Sequence, residues 1–405
     1  MRAWMQVSAA AVICMVAVGC ARHIEPKDEY AGLIQPEVLE KAGLQYYWHN
    51  PVPLREGETL VRLYQLEEKL YCLTNCNRLL AVDEARGTLE WNYDVAPAGQ
   101  TVFRPFHVNG VTIPEKVVGV TEMTAPPRPV TVEPYDLVGL NTLTHLILLN
   151  RSTGKEVRRI PLRPVAGGPV HASRDYAIVG TSRGWYYSIS LREAIKIWTE
   201  STEQTVSAPI VCFASRAYVG GEDGLLYSVR LGDQPSEPWS QKTNGPITAA
   251  FHVDLRGCFV GSGDGRLYAY NPETGQKLWQ PFICNAPLVD PMQVGENSIF
   301  QWARGDTFYA IEVATGRKRW DQADGRRVLA AIKPNVYLLD RSNNLVTVDE
   351  MLGEVRSILP LSGLELFADN TASPAIYAAT RTGGLFCIRL LTAGHLTVEM
   401  LEGKQ

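Results

Sequence analysis

The chain has 405 residues, of which 39 are Lys or Arg and 43 are Asp or Glu, so its formal net charge at pH 7 is −4. No block of basic residues interrupts this balance, and the chain lacks the positive surface that nucleic-acid binding requires. We therefore expect no nucleic-acid partner.

The first twenty residues have the pattern of an export signal. Arg2 precedes an apolar run from Val7 to Val18, which is too short to span a bilayer as a helix and has the length of a secretory-signal core. The small residues directly before Cys20 resemble the bacterial lipoprotein cleavage box, and the resemblance implies cleavage before Cys20 and diacylglycerol on its sulfur. The alternative is another kind of signal, with Cys20 there by chance. We predict a signal peptide over residues 1–19 and lipidation of Cys20.

Residues 20–58 mix charged residues and prolines, with one short helix-like stretch over Pro36–Ala42. This composition is typical of a tether. Ala21, directly after the cysteine, resembles the sorting pattern of outer-membrane lipoproteins. We therefore predict a lipid-anchored protein of the bacterial cell envelope, held at the outer membrane and facing the periplasm.

A short alternating strand motif recurs eight times in the rest of the chain. Its copies begin at Leu80, Ile147, Tyr187, Tyr227, Tyr268, Tyr309, Val346 and Phe386. The period is near 40 residues, and each unit contains strand-like runs without a stretch long enough for an amphipathic helix. We predict an all-β fold, an eight-bladed β-propeller of four-stranded antiparallel blades, over residues 59–401.

Each unit has the same internal order, which is clearest in the fifth. Strands are predicted at Pro246–Val253, Gly257–Gly261, Arg266–Tyr270 and Lys277–Phe282, with tight turns between them. For the ring to close, we expect Thr59–Leu66 to be the first strand of the first blade and Leu396–Leu401 the last strand of the eighth. Closure removes the two exposed sheet edges that an open arrangement would leave.

Glycine and tryptophan recur at fixed positions in these units. A turn opened by Asn, Asp or Glu closes on a glycine in five blades, at Gly87, Gly154, Gly275, Gly316 and Gly353. The strand that follows carries a tryptophan in five blades, at Trp91, Trp198, Trp239, Trp279 and Trp320. These rings are either stacking surfaces for a ligand or the packing between neighbouring blades. Only packing requires the same residue in every unit, so we predict packing, with looser joints where Arg158, Ser357 and Val398 replace Trp.

The segment from Tyr268 to Trp279 reads Tyr-Ala-Tyr-Asn-Pro-Glu-Thr-Gly-Gln-Lys-Leu-Trp and resembles the pyrroloquinoline-quinone-type (PQQ-type) propeller repeat. The resemblance covers about residues 59–401. It implies an eight-bladed propeller and either of two kinds of protein. One kind is the quinone-dependent alcohol dehydrogenases, and the other is the outer-membrane assembly lipoproteins of the BamB type, which carry no quinone.

The dehydrogenases of this family imply a ring of adjacent cysteines, a calcium ion held by carboxylates and amides, and a catalytic Asp. This sequence has no Cys-Cys pair, and its prominent acidic residues, such as Asp223 and Asp264, fall in repeated tight turns. We therefore predict no catalytic residue, no metal site and no cofactor. The favoured function is a non-catalytic, membrane-anchored scaffold that binds protein partners as a monomeric propeller. The resemblance to BamB-type proteins implies a role in outer-membrane protein assembly. The alternatives are a propeller that binds or senses a small molecule in its channel, and a relative of the quinone-dependent dehydrogenases.

One interval between repeats is longer than the others. The surplus falls in residues 98–135, between the first and second blades, where prolines punctuate short apolar pairs. It is either a neutral decoration or a partner-binding loop, because long loops in compact domains often carry function. As candidate contacts for the partner we name Phe103, Phe106 and Met123.

Six cysteines follow Cys20, at scattered positions without zinc-ligand spacing. Four of them, Cys72, Cys212, Cys258 and Cys387, lie in apolar strand-like runs and are expected to be small buried hydrophobes. Cys72 and Cys76 flank a tight turn, so a local disulfide there is the alternative.

Overall fold

The computed structural model describes residues 30, 32–111, 135–202 and 204–394. Its strands form eight separate four-stranded antiparallel sheets arranged in a ring, which confirms the predicted eight-bladed β-propeller. The predicted signal peptide with Cys20, and Met123, Val398 and Leu396–Leu401, lie outside the described residues. No helix among those described is both long and apolar enough to cross a membrane.

The chain begins with a short helix and a strand and then builds the blades in order. The first two elements are α1 (Pro36–Lys41) and β1 (Leu44–Pro51). Blade 1 contains β2 (Leu60–Leu66), β3 (Lys69–Thr74), β4 (Arg78–Asp83) and β5 (Leu89–Asp94). Blade 2 contains β6 (Phe106–Val111), β7 (Tyr135–Asn141), β8 (His145–Asn150) and β9 (Glu156–Pro161). Blade 3 contains β10 (His171–Ser173), β11 (Tyr176–Gly180), β12 (Trp185–Ser190) and β13 (Ile195–Ser201). Blade 4 contains β14 (Val211–Phe213), β15 (Arg216–Gly220), β16 (Leu225–Arg230) and β17 (Ser236–Lys242).

The second half of the ring continues in the same way. Blade 5 contains β18 (His252–Asp254), β19 (Gly257–Gly261), β20 (Arg266–Tyr270) and β21 (Phe282–Ile283). Blade 6 contains β22 (Gln293–Val294), β23 (Ser298–Trp302), β24 (Phe308–Glu312) and β25 (Lys318–Gln322). Blade 7 contains β26 (Gly325–Ile332), β27 (Asn335–Asp340), β28 (Asn344–Asp349) and β29 (Val355–Pro360). Blade 8 contains β30 (Leu366–Phe367), β31 (Ile376–Ala379), β32 (Gly384–Leu390) and β1. A short 3-10 turn (Leu391–Ala393) follows.

The position of a strand within its blade explains its sequence. The second and third strands are covered on both faces by the neighbouring blades; β15 and β19, for example, are buried at every residue. Such strands read as continuous apolar runs. The fourth strand alternates, as in β5, where Trp91 is buried between exposed neighbours. Most of the core therefore lies between blades, in layers of side chains from adjacent sheets.

The first strand of each blade lines the centre of the ring, because first strands of neighbouring blades contact one another. Antiparallel strands alternate in direction, so the connections fall on two opposite faces. The upper face, as we define it, carries the turns between second and third strands and the connections from one blade to the next. The lower face carries the connections between first and second strands and the glycine turns between third and fourth strands.

The ring is closed by a strand from the N-terminal segment. In blade 8, β1 pairs with β32 from Leu44 opposite Leu390 to Pro51 opposite Gly384, and so occupies the outermost position. The prediction that Leu396–Leu401 holds this position is therefore wrong, and the predicted tether over residues 20–58 is wrong where α1 and β1 form. The physical reason is burial: Leu44, Trp48 and the Leu39 side chain of α1 are all removed from solvent.

The extra residues after blade 1 lie within blade 2 and not between the blades. β6 and β7 pair as its first and second strands, with Val111 opposite Tyr135. The connection between them, residues 112–134, lies outside the described residues. The start of the predicted insertion is thus a strand of the propeller, because Phe106, Val108 and Val111 are buried in the core of blade 2.

Candidate functional site

The recurring tryptophans lie between blades. In four of the five, the indole Nε1 donates a hydrogen bond to a backbone carbonyl of the following blade. The pairs are Trp91 with Arg151 (2.8 Å), Trp198 with Gly232 (3.1 Å), Trp279 with Val313 (3.2 Å) and Trp320 with Glu350 (2.8 Å). Trp239 lies in the same place, against Gly275 of blade 5. These five rings are therefore occupied by packing between sheets and leave no stacking surface for a ligand.

The recurring glycines lie directly beneath these rings. A Cβ at Gly154, Gly275, Gly316 or Gly353 would lie less than 3 Å from the tryptophan ring of the preceding blade. All four also have φ between 69° and 75°, a left-handed conformation that strains other residues. The turn glycine is thus required twice, by the turn and by the close approach of the ring.

Trp48 of β1 makes the same contact at the place where the ring closes, and the sequence analysis missed it. Its Nε1 donates to the carbonyl of Glu84 (3.1 Å), and its ring lies over Gly87 of blade 1. A signal was present, because Trp48 precedes Trp91 by 43 residues, close to the period of the repeat. Gly87 therefore contacts a strand of the N-terminal segment.

The joint between blades 2 and 3 has an arginine where the other joints have tryptophan. Arg158 Nη1 donates to the carbonyls of Leu191 (3.1 Å) and Arg192 (2.6 Å) in blade 3. The guanidinium thus replaces the indole donor, and this joint keeps its hydrogen bond to the next blade. In blade 7, by contrast, Ser357 bonds to Thr347 of its own blade.

The residues proposed as partner contacts are not equivalent. Phe106 is only 3% exposed; it packs against Gly139 and near His171 and so cannot contact a partner. The prediction for Phe106 is wrong because the residue begins β6. Phe103 is half-buried and its backbone N–H bonds to Asn141 (2.9 Å), at the upper face. Met123 lies outside the described residues.

The acidic residues of the repeated turns are engaged in local structure. Asp223 accepts hydrogen bonds from the Leu225 backbone (2.8 Å) and the Tyr227 hydroxyl (2.9 Å). Asp264 repeats this arrangement one blade later, with the Arg266 backbone (3.0 Å) and the Tyr268 hydroxyl (2.6 Å). Repetition of the same contacts is what turn geometry requires, and both carboxylates are engaged within their own turns.

Among the described residues, the acidic and sulfur side chains are not arranged as a quinone with calcium would require. Within the described ranges, no three His, Cys, Asp or Glu side chains come close enough to hold a metal ion. The described cysteines are unpaired: Cys76 is exposed, and Cys72, Cys212, Cys258, Cys284 and Cys387 are buried. Burial raises the pKa of the Cys72 thiol to about 12, as expected for a packed side chain.

A cavity of about 500 Å³ lies at the upper mouth of the central channel, between blades 7, 8, 1 and 2. Its floor and walls come from β2, β26 and β30, the first strands of blades 1, 7 and 8. The charged side chains that line it are Arg62, Arg104, Arg326, Arg327, Arg381, Glu365 and Asp369. Five positive charges and two negative ones make this mouth cationic, although the chain as a whole is slightly acidic.

The two carboxylates of the mouth neutralise two of its arginines. Arg327 Nη1 lies 3.1 Å from Asp369, and Arg381 Nε lies 3.3 Å from Glu365. The other three arginines form no ion pair with a carboxylate among the described residues. They are Arg62 on blade 1, Arg104 on blade 2 and Arg326 on blade 7. All three are exposed to the cavity and its opening.

The charges of two of these arginines shift the pKa values of neighbouring side chains. Burial, together with the charge of Arg104, lowers the pKa of His171 on β10 to about 4, so this histidine is neutral at pH 7. Burial raises the pKa of Tyr64 on β2, while the charges of Arg62 and Arg104 oppose the rise. Both arginines therefore act on side chains of the innermost strands.

Comparison with known proteins agrees with this geometry. The profile of the family described as "Outer membrane protein assembly factor BamB" matches residues 223–403. The chain is a PQQ-type propeller that resembles BamB. The crystal structure of BamB from Moraxella catarrhalis matches with a TM-score of 0.59 and 15% sequence identity, over 85% of this chain and 99% of that one.

A second solved structure, the computationally designed Ika8 protein, matches with a TM-score of 0.57 and 13% identity, over 82% of this chain and 96% of that one. At these identities the likeness shows a shared fold. The comparison with curated proteins gives no match.

Proposed function

We propose that this protein is a non-catalytic scaffold of the bacterial cell envelope that binds protein partners during the assembly of outer-membrane proteins. The observation that carries the proposal is the match of residues 223–403 to the family described as an outer-membrane protein assembly factor. The complete ring supports it as well, because the match to BamB extends over 99% of that chain.

The anchor is Cys20, lipidated after removal of residues 1–19, and the propeller binds as a monomer held at the outer membrane on its periplasmic side. Rigid sheets that carry loops on two open faces suit the binding of other proteins. Partner contact is proposed at the upper face around Phe103, and within residues 112–134 with Met123.

A non-catalytic role is supported by the hydrogen bonds of the acidic turn residues. Asp223 and Asp264 are held by backbone and tyrosine donors in equivalent turns, where a general base would instead be expected at one distinct position.

The experiment is depletion of this protein in the bacterium that carries it. Outer-membrane proteins that fold correctly change their mobility on gels when heated, and depletion should lower the folded fraction. A plasmid copy should restore it, whereas the Cys20→Ser protein should not, because it lacks the anchor. An unchanged folded fraction after depletion would contradict the proposed function.

A further inference from the structure

We propose that the upper mouth of the channel binds an acidic segment of a protein partner, with Arg62, Arg104 and Arg326 as the residues that bind its carboxylates. This inference rests on the proposed function, since it specifies the chemistry of the partner.

The residues that line the mouth carry more positive than negative charge. Of its five arginines, two are paired with carboxylates and three are not paired among the described residues. Like charges gathered in a concave surface repel one another and concentrate a positive potential there. A bound anion relieves the repulsion, so the mouth favours an acidic ligand.

The chemistry of the guanidinium group favours a particular type of anion. The guanidinium group forms two parallel hydrogen bonds with a carboxylate, which makes arginine well suited to this partner. The three free arginines come from blades 7, 1 and 2, on either side of blade 8. A ligand that reaches all of them carries several negative groups along an extended chain, as an acidic peptide does.

The shape of the mouth favours a peptide over a membrane surface. The arginines line a cavity of about 500 Å³ and do not form a flat patch. Half-buried apolar side chains, Val61, Tyr64 and Leu366, lie among them. A peptide segment can enter such a cavity and place apolar side chains against these residues, whereas lipid headgroups lie in a plane outside it.

Two of the three arginines already make a contact with the propeller before any ligand binds. Arg62 Nη1 donates to the Val61 carbonyl (3.2 Å), and the Arg326 guanidinium lies 5.9 Å from the centre of the Trp302 ring. Both stand on first strands of the rigid ring. Binding therefore orders few additional side chains, which lowers its entropic cost.

The test measures the binding of a fluorescent oligoglutamate peptide to the purified full-length protein by anisotropy, against an oligoglutamine peptide of equal length. The variant combines Arg62→Gln, Arg104→Gln and Arg326→Gln. The matched control is Arg183→Gln, because Arg183 is an exposed arginine on the upper-face turn of blade 3, away from the cavity. Circular dichroism and thermal unfolding establish that all proteins are equally folded.

We expect the wild-type and Arg183→Gln proteins to bind oligoglutamate and not oligoglutamine, with an affinity that falls as salt is added. The triple variant should bind roughly tenfold more weakly, as expected for three exposed charge pairs. Equal binding of oligoglutamate by the wild-type and triple-variant proteins would overturn the inference. So would displacement of the peptide by inorganic phosphate at equal concentration, or charge-dependent binding to phosphatidylglycerol vesicles in place of the peptide.

The same variants separate this inference from the proposed function. If the triple variant restores outer-membrane protein folding in depleted cells as well as wild type does, the acidic-segment inference fails and the scaffold function stands. If depletion itself has no effect while oligoglutamate binding depends on the three arginines, the scaffold function fails and the anion site stands.

Discussion

Replacing Trp48 by alanine should weaken the joint that closes the ring. Trp48 is 6% exposed, its indole lies over Gly87, and its Nε1 donates to the Glu84 carbonyl (3.1 Å). Truncation of a buried aromatic side chain to alanine costs about 3–5 kcal/mol, because contacts are lost and a cavity remains. Trp48→Phe keeps an aromatic ring but leaves the carbonyl without its donor, which costs about 1–2 kcal/mol.

The assay is equilibrium unfolding in urea, with the free energy of unfolding taken from the midpoint and the slope. Trp185→Ala is the matched control, because Trp185 begins β12 but is 48% exposed, so its loss should cost less than about 1 kcal/mol. The order Trp48→Ala, Trp48→Phe, Trp185→Ala, from most to least destabilised, is the expected result. If Trp48→Ala is no less stable than Trp185→Ala, then β1 does not close the propeller and the reasoning from burial is refuted.

The remaining predictions test a turn, an ion pair and the anchor. Gly316→Ala should destabilise by at least about 2 kcal/mol, because a Cβ there meets an indole, whereas Gly305→Ala, with a positive φ and open space, should cost about 1 kcal/mol in urea unfolding. Burial alone would raise the pKa of Glu58, but hydrogen bonds, chiefly from Arg78, outweigh it and hold the pKa at about 2. The stabilisation of about 2–3 kcal/mol is therefore complete above pH 4.5 and lost as the pH falls towards 2, and Glu58→Gln should remove this pH dependence from the unfolding free energy. Cys20→Ser should abolish metabolic labelling with palmitate, and unchanged labelling would contradict lipidation at that residue.

The middle strands of the blades could be predicted from the sequence, residue by residue. The sequence pattern predicts two strands at Gly257–Gly261 and Arg266–Tyr270, and β19 and β20 have these bounds. Both faces of a middle strand are buried, and a tight Gly-Asp-Gly turn separates the two, so the pattern is continuous and its ends are marked. The innermost strand of the same blade was predicted only in part: the pattern predicts a strand over Pro246–Val253, but only His252–Asp254 pairs with β19. Ile247, Ala249 and Phe251 before it are buried without forming ladder pairs.

The closing strand and the channel mouth could not be predicted, for the same physical reason. β1 pairs with β32, more than 300 residues later; Trp48 precedes Trp91 by about one repeat period, but that spacing does not show which strand β1 pairs with. The arginines of the mouth are equally scattered, from Arg62 to Arg381. Only the ring shows that first strands are innermost and which side chains meet there. The sequence repeat predicts the features that all blades share, whereas the residues of a binding site differ from one blade to the next and have no place in the repeat.

The corrected path of the N-terminal segment also constrains how a partner reaches the mouth. Gly363, in the upper-face connection between β29 and β30, lies against the backbone of Gly32, so the chain joins the propeller at the upper face. With Cys20 as the proposed anchor, twelve residue steps separate the lipid from Gly32, a reach of at most about 40 Å. The tether inferred from sequence, ending at residue 58, would have allowed three times that distance and any orientation. The shorter tether joins the propeller at the upper face, where the arginine-lined mouth also opens. If Cys20 carries the lipid, we expect a partner whose acidic segment enters this mouth to bind close to the membrane surface.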